Sequence, residues 1–593
     1  MRASARAVSG VMSGASLSTT ASAHDLRAVI AEAIAAEPLD AHALDRILRR
    51  HPKDGRGFYT KREVLAAFRA SAHEWPVTEP AFAEKLRTTP TRTLSGVAPV
   101  AVLTKPFPCP GRCVFCPSDV RMPKSYLASE PGCQRAQMNR FDPYLQAWNR
   151  LAAFHAMGHS TAKVELIVLG GTWSFYPESY QVWFATRLFD ALNDFGEGVD
   201  RRAEIEGFAP DFSSLALGPR GYDASVAAHL RAGEGGELIP ERERGDWRAL
   251  ETAQRENESA GARCVGLALE TRPDHVTREE VRRLRRLGAT KVQLGIQSLD
   301  DAVLAANKRG HDLAATRTAI TLLRGAGFKI HAHWMANLLG ATPESDRADF
   351  ARLFDDPAIR PDELKLYPCS LVESAELVQH HARGEWRAYE RDELLPLVAD
   401  CLAAIPRWCR ASRVIRDIPS QDIVSGSRET NLREAAEQLL WKRGTPLAEI
   451  RAREVRGRAG EGDEPLTMRE TRYATSRGEE AFIEAVTPAD RIAGFARLTL
   501  PSADAAVDAP IAELRGAALL REVHVYGAVA DFGERTPNKS QHAGLGSALV
   551  ARATQLAREA GFTKLAVISA IGTRAWYRRQ GFTDGALYQH LSL

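Results

Sequence analysis

Three cysteines fall within eight residues in the segment Lys105-Pro-Phe-Pro-Cys109-Pro-Gly-Arg-Cys113-Val-Phe-Cys116-Pro. Thiolates at CxxxCxxC spacing in a Gly- and Pro-bearing loop can wrap one corner of a cube and ligate three irons, leaving the fourth open. That is the arrangement of a [4Fe-4S] centre whose open iron is chelated by the amino and carboxylate groups of S-adenosylmethionine, for cleavage by one electron to a 5′-deoxyadenosyl radical. A zinc site normally asks for four closed ligands, often as two CxxC-like pairs, and the chain has no second pair. Cys133 would complete a ligand set and defeat that chemistry, so it is read as incidental.

The elements that must position this loop follow from periodicity. Short β-branched runs at Val97 to Thr104, Val164 to Leu169, Val265 to Leu269, Val292 to Gly295, Ile330 to Met335 and Leu364 to Tyr367 each precede a longer stretch of helical spacing. Six such units imply a parallel sheet with crossover helices outside and sites at the carboxyl ends of the strands. The cysteine loop follows the first strand. The second, beginning at Lys163, ends in Gly170-Gly171, where missing side chains let backbone approach a ligand. Glu270 and Arg272 end the third strand and Gln297 the fourth, as candidate pocket residues. Asp194 to Ala260, rich in Gly and charge, reads as an insertion, and Lys442 to Glu464 as a linker. From Arg472 onward the order strand, strand, helix, strand, helix describes a second, smaller α/β domain.

That domain carries its own constellation: Glu522-Val523-His524-Val525, then Gln541-His-Ala-Gly544-Leu545-Gly546 opening a helical run. A Gly-rich turn into a helix N-terminus offers backbone N–H groups to a pyrophosphate. The (Q/R)xxGxG form is similar to that of GNAT acetyltransferases. In that fold class a tyrosine after the following strand, here Tyr577, lies near the thioester sulfur, where it can orient or protonate the leaving thiolate.

At 593 residues, two or three domains are expected. The net charge of +3 gives no global argument for a polyanionic partner. Eight cysteines with no regular pairing, and no membrane-length apolar run, fit a soluble cytoplasmic protein. Residues 1–23 read as a disordered tail and 24–90 as a small helical module. Between Arg46 and Lys105, 12 Lys/Arg stand against 5 Asp/Glu, with Arg49, Arg50, Lys53, Arg56, Lys61 and Arg62 close together. Residue spacing alone reads this as a solvated helical surface.

Several ordered runs go further: Arg92-Thr-Leu-Ser-Gly-Val-Ala, Ser125-Tyr126, Glu130-Pro131, Glu270-Thr-Arg-Pro, Asn307-Lys-Arg-Gly-His311, Leu364-Lys-Leu-Tyr-Pro368, Arg416-Asp-Ile-Pro419 and Arg521-Glu-Val-His-Val-Tyr-Gly527. From about Leu86 to the C-terminus the chain resembles the catalytic, third subunit of Elongator. The resemblance implies a partial TIM-like (β/α)6 radical S-adenosylmethionine barrel (91–440), a linker (441–470) and a GNAT-type α/β domain (471–593). It implies a tRNA enzyme that places a carboxymethyl group on C5 of wobble uridine 34, with acetyl-CoA as donor. Cys109, Cys113 and Cys116 would hold the cluster, and Gly170 and Gly171 would meet the methionine end of S-adenosylmethionine. Lys163, Glu522 to Val525, Gly544 to Gly546 and Tyr577 would contact acetyl-CoA, with Tyr577 and Lys163 closest to the chemistry.

The resemblance also turns the basic N-terminal module into a surface for the tRNA anticodon stem-loop. It requires an electron donor and no membrane, and leaves a homodimer open. Relatives often carry a cysteine-rich zinc site where this chain reads Ile450-Arg-Ala-Arg-Glu-Val455, so no zinc is expected, and Trp576-Tyr577 stands where two tyrosines are common. The zinc-free linker and the Ala/Arg-rich composition suggest a bacterial form working without the other subunits. The competing readings are a protein lysine acetyltransferase with a structural cluster, and a tRNA-binding scaffold with degenerate sites.

Overall fold

In Lys291-Val-Gln-Leu-Gly-Ile-Gln297 and Lys329-Ile-His-Ala-His-Trp-Met-Ala336, apolar residues alternate with residues that are mostly polar. Successive strand side chains point to opposite faces, so such strands need one apolar face and one polar face, both covered. The computed structural model, which describes residues 20–53, 57–87, 93, 95–205, 211–218, 221–455, 465–526 and 544–593, provides this with a seven-stranded parallel sheet. Its strands are β1 (Ala98–Leu103), β2 (Lys163–Leu169), β3 (Arg263–Thr271), β4 (Lys291–Gln297), β5 (Lys329–Ala336), β6 (Glu363–Pro368) and, after a short β7 (Leu371–Val372), β8 (Arg410–Arg413). β9 (Ile423–Ser425) pairs with β7 outside this sheet. The first six are the expected strands. The seventh was not foreseen, because its Arg-Ala-Ser-Arg sequence on the sheet edge has no apolar run.

The apolar face, with Val292, Leu294, Ile330, Trp334, Leu364 and Leu366, is buried in the main core beneath the crossover helices. Trp334 also donates to Asp349 of the helix Pro343–Asp355 at 2.8 Å. Among its described residues the expected insertion contains the short helix Arg202–Ile205 and two longer helices, Tyr222–Ala232 and Trp247–Asn257. The last is fixed by Asn193 and Asn257 through Asn193 Nδ2 to the Ala253 carbonyl (2.9 Å) and Asn257 Nδ2 to Asn193 Oδ1 (2.8 Å).

At the N-terminus α1 (Thr20–Ala35), α2 (Ala41–Arg50), α3 (Lys61–Ala70) and α4 (Glu79–Leu86) close a separate small core around Ile30, Ile47, Leu65, Phe68 and Phe82. The first helix begins inside the expected tail, whose residues 1–19 lie outside the described residues, as does Arg56. Between the two larger domains, 456–464 are likewise outside them. The described part of that stretch includes the short helix Ile450–Arg453, tied to β8 by buried Glu449, which accepts from the Ala411 amide at 3.0 Å.

The C-terminal domain holds more strands than its sequence suggested. β10 (Thr467–Thr475), β11 (Gly478–Val486), β12 (Ile492–Pro501), β13 (Ala518–Val525), β14 (Lys564–Val567), β15 (Thr583–Asp584) and β16 (Gln589–Ser592) form one sheet in the order β10-β11-β12-β13-β14-β16-β15. β11 and β12 are buried almost throughout, so they lack the alternation that marks a half-exposed strand.

This sheet docks on the amino ends of the parallel strands. Arg285 donates to the Ser569 and Leu587 carbonyls at 2.7 and 2.9 Å, and Tyr588 to the Ala326 carbonyl at 2.7 Å. At the centre Asp362, fully buried just before β6, accepts from Arg521 of β13 and lies 3.6 Å from Arg497 of β12. Burial alone would push the Asp362 carboxyl up, but the Arg521, Arg497 and Arg324 charges outweigh it and hold it well below the usual carboxylate range. A depressed folded value means that this stabilisation is present above the unfolded carboxyl's pKa and is lost as pH falls through the folded value. Asp362→Ala removes the carboxylate that buried Arg521 and Arg497 share, leaving each with one carboxylate partner, Glu480 and Glu522, and is expected to cost about 3 kcal/mol at pH 7. Urea unfolding checks this: the gap to the native protein should narrow below about pH 4, and equal midpoints at pH 7 would sink the assignment.

Candidate functional site

The cysteine loop leaves the carboxyl end of β1, and the chain around it is built to hold sulfur. The Cys109 amide donates to Asp223 at 2.9 Å, and the Gly111 amide to Cys109 Sγ at 3.4 Å. Cys116 Sγ lies 3.1 Å from Ser125 Oγ. Contact with Cys116 first, and then the Arg309 and Arg272 charges, hold the Cys113 thiol well below its ordinary range against the opposing effect of burial. A Cβ on Gly111 would stand 2.1 Å from Arg272 Nη1, so a side chain there would displace that guanidinium from the loop. The expected insertion contributes Asp223, and also Glu243, which pairs with buried Lys105 just before the loop.

These three thiols fit a cluster in which each takes its own iron. The other five cysteines are buried, and burial pushes the thiols of Cys264 and Cys369 up to about 12. Cys133 sits among apolar neighbours on the helix Pro131–Met138, its thiol likewise raised by burial, as suits an incidental cysteine.

Backbone strain gathers at the same end. Ser125, Gln297 and Asn337 have φ of 83°, 68° and 60°, a region costly for residues with a side chain. Gly170 has φ 139°, and a Cβ there would lie 2.0 Å from Thr104 Oγ1, so packing of β2 on β1 already requires glycine. Gly171 meets only ordinary contacts, the nearest at 3.5 Å from Tyr176, so its lack of a side chain leaves room for an incoming group.

Between the two ends the polar faces of β4, β5 and β6 turn inward. Register pairs Lys291 with Lys329, Gln293 with His331, and His333 with Lys365. Near the cysteine end Tyr126 donates to Glu270 at 3.3 Å, His333 lies 3.2 Å from Gln293, and Lys365 donates to Gln293 at 2.5 Å. Burial pushes the Lys365 amine down to about 8 despite Glu270 nearby. Toward the amino end Lys291 pairs with Glu165 (2.6 Å) and Glu363 (3.2 Å), and Lys329 with Glu363 (3.2 Å) and Glu522. At about 3.3 Å per residue, the eight residues of β5 put roughly 25 Å between the ends. Sequence inspection missed this column, although the alternation of its lysines, histidines and glutamates was the signal.

The second group of expected site residues converges at the amino end. Glu522 accepts from Arg497 at 2.8 Å. Gly544, with φ 101°, precedes the helix Leu545–Glu559; a Cβ on Gly546 would stand 3.3 Å from Trp576 and 4.0 Å from Val525. Val523 packs against the same core as Leu545 and Tyr577. His524 stacks on Phe495, and burial pushes it down to about 4. Tyr577 is buried beside Trp576 and Phe582, its phenol raised first by burial and then by Glu522. Gln541 to Ala543, the start of the turn, lie outside the described residues. Lys163 stands apart on the first sheet, at the amino end of β2, paired in register with Arg263. A Cβ on Gly572 would come within 2.6 Å of Arg263 Cβ, so Lys163 is one strand from the domain contact.

On the N-terminal module several candidate cations are engaged: Arg49 with Asp45 (2.8 Å), Lys53 with Glu63 (2.5 Å), and Arg50 with Glu32. Among the described residues no helix is long and apolar enough to cross a membrane.

Comparison with known proteins gives two family matches: the Radical SAM superfamily over residues 240–354 and the Radical_SAM C-terminal domain over 361–442. The chain is 37% identical to the tRNA uridine(34) acetyltransferase of Dehalococcoides mccartyi over 507 residues, covering 84% of this chain and 99% of that one. It is 33% identical to Elongator complex protein 3 of Homo sapiens, with 84% of each covered. The structure of the archaeal Methanocaldococcus infernus Elp3 with an N-terminal deletion superposes with a TM-score of 0.65 at 31% identity, covering 84% of this chain and 100% of that one.

If the loop holds a cluster through these three thiols, Cys109→Ala, Cys113→Ala and Cys116→Ala should each lose most bound iron after anaerobic reconstitution, and Cys133→Ala should keep it. Iron and sulfide analysis checks this, and equal retention by all four variants would refute the ligand assignment.

Proposed function

The chain belongs to the family of the tRNA uridine(34) acetyltransferases and Elongator complex protein 3, and from that membership we propose that it forms 5-carboxymethyluridine at wobble position 34 of tRNA. The donor substrate is acetyl-CoA, and the cofactors are S-adenosylmethionine and a [4Fe-4S] cluster. One observation supports the reading: the CxxxCxxC loop follows the carboxyl end of β1, and the domain that carries the glycine turn docks on the amino ends of the same sheet.

When bound, the cluster and S-adenosylmethionine supply a radical able to take hydrogen from the acetyl methyl group, which C5 of uracil, a poor nucleophile toward acyl carbon, needs for C–C bond formation. Cys109, Cys113 and Cys116 hold the cluster, and Gly171 leaves space for the methionine end of S-adenosylmethionine. The backbone of Glu522 to Val525 and the Gly544 to Gly546 turn hold acetyl-CoA, the turn by helix N-terminal amides. The phenol of Tyr577, raised by burial and then by Glu522, is too weak an acid to give up its proton, so its part is to orient the leaving thiolate by a hydrogen bond. Lys163, carried on the first sheet one strand from the domain contact, is the remaining proposed acetyl-CoA contact. With roughly 25 Å between the two ends, the acetyl group has to pass from the turn to the cysteine end, where holding it beside the base supplies much of the rate through proximity. An external one-electron donor is required. The tRNA contact rests on the family and on those cations of the N-terminal module that acids leave available.

Reconstituted protein given tRNA, acetyl-CoA, S-adenosylmethionine and dithionite is expected to yield carboxymethyluridine by nucleoside mass spectrometry. Cys113→Ala should abolish the product, and Tyr577→Phe should lower its rate on the order of 100-fold. Product from Cys113→Ala would overturn the radical route. Acetyl-lysine on protein, formed without reductant, would favour the rival acetyltransferase.

A further inference from the structure

Among the described residues Arg309 is the one guanidinium joined by a hydrogen bond to a cysteine of the loop, and neither motif nor spacing gave it a role. Its side chain is fixed on two sides: Nη2 donates to the Gly295 carbonyl at 2.7 Å, and Nη1 donates to Cys113 Sγ at 3.0 Å. The residue is only 5% exposed, and its Nε–H is buried with no partner among the described residues. Neighbouring Arg272 is different. Asp274 takes two of its N–H groups at 2.9 and 2.8 Å and offsets its charge. Among the described residues Arg309 has no carboxylate partner. A buried cation without an anion is costly, and the anion this site offers Arg309 is the Cys113 thiolate.

A cluster bound by three thiolates becomes one charge more negative on accepting an electron, and a fixed cation at hydrogen-bond distance from a ligand sulfur favours that state. We infer that Arg309 sets the reduction potential of the cluster, its charge and its N–H···S contact with Cys113 favouring the one-electron-reduced form. The step moves one electron from an external one-electron donor to the cluster, with no bond made or broken. The inference rests on the cluster-binding part of the proposed function and is independent of tRNA.

The full chain, reconstituted anaerobically without tRNA or acetyl-CoA, is titrated with dithionite through redox mediators and read by electron paramagnetic resonance. Iron content of the native protein tests the cluster itself; the variants test Arg309. Arg309→Gln is expected to make reduction at least tenfold less favourable, about 59 mV lower for a one-electron couple, and Arg309→Lys to stay within threefold of native. A native potential in iron-loaded Arg309→Gln overturns the inference, as does a shift in Arg309→Lys equal to that of Arg309→Gln. Should Arg309→Gln alone lose iron, Arg309→Lys decides by the same threefold limit. Loss of iron by both overturns it, because Arg309 would then be a prop of the loop.

Discussion

A buried carboxylate before β6, shared between two arginines of another sheet, fixes how the two larger domains meet. Asp362 has no exposure, and Arg521 also reaches Glu480 at 2.8 Å and the Phe328 carbonyl at 2.6 Å. Apolar contact alone tolerates sliding; paired buried charges do not, because a small displacement leaves a charge without its partner. The amino ends of β5 and β6 are therefore keyed to β12 and β13. Every group carried by those strands, Glu522 included, takes its position from that key.

The same strands explain why the barrel interior is polar. Period-two alternation sends Lys, His, Gln and Glu to the inner face and Val, Ile, Leu and Trp outward against the helices. The inner groups survive burial because they are matched: Lys291 between Glu165 and Glu363, His331 beside Glu363 and Ser412. At the carboxyl end matching is less complete. Lys365 is driven toward neutrality, and Ser125, Gln297 and Asn337 hold strained backbone. Strained backbone is a recurrent feature of functional sites, and the cysteines lie at this end. Sulfur lies at one end, and the domain with the glycine turn and Tyr577 docks on the other.

Much of this was legible in residue order. The CxxxCxxC spacing, the six alternating units, Gly170-Gly171 and the Gly544 to Gly546 turn are local patterns, and local geometry imposes them. Gly170 shows where such reading stops. Its glycine was attributed to ligand approach, whereas contact with Thr104 on the neighbouring strand already forbids a side chain. β8 escaped notice, and only two of the four strands β10 to β13 were expected, because an edge strand and fully buried strands such as β11 and β12 carry no alternation.

By itself the sequence determined which groups are available and their local setting: three closely spaced cysteines, a glycine turn at a helix N-terminus, a tyrosine after the following strand, and the strands that carry them. Only the tertiary structure decided what those groups face. It set Arg309 against Cys113 across 196 positions of chain, brought Asp223 and Glu243 from the insertion to the cysteine loop, and put Lys163 on one sheet beside a domain built on another. The physical reason is that spacing along a chain fixes neighbours only within a turn, a strand or a helix. Contacts between distant segments are fixed by how faces and charges pack, which no single segment contains.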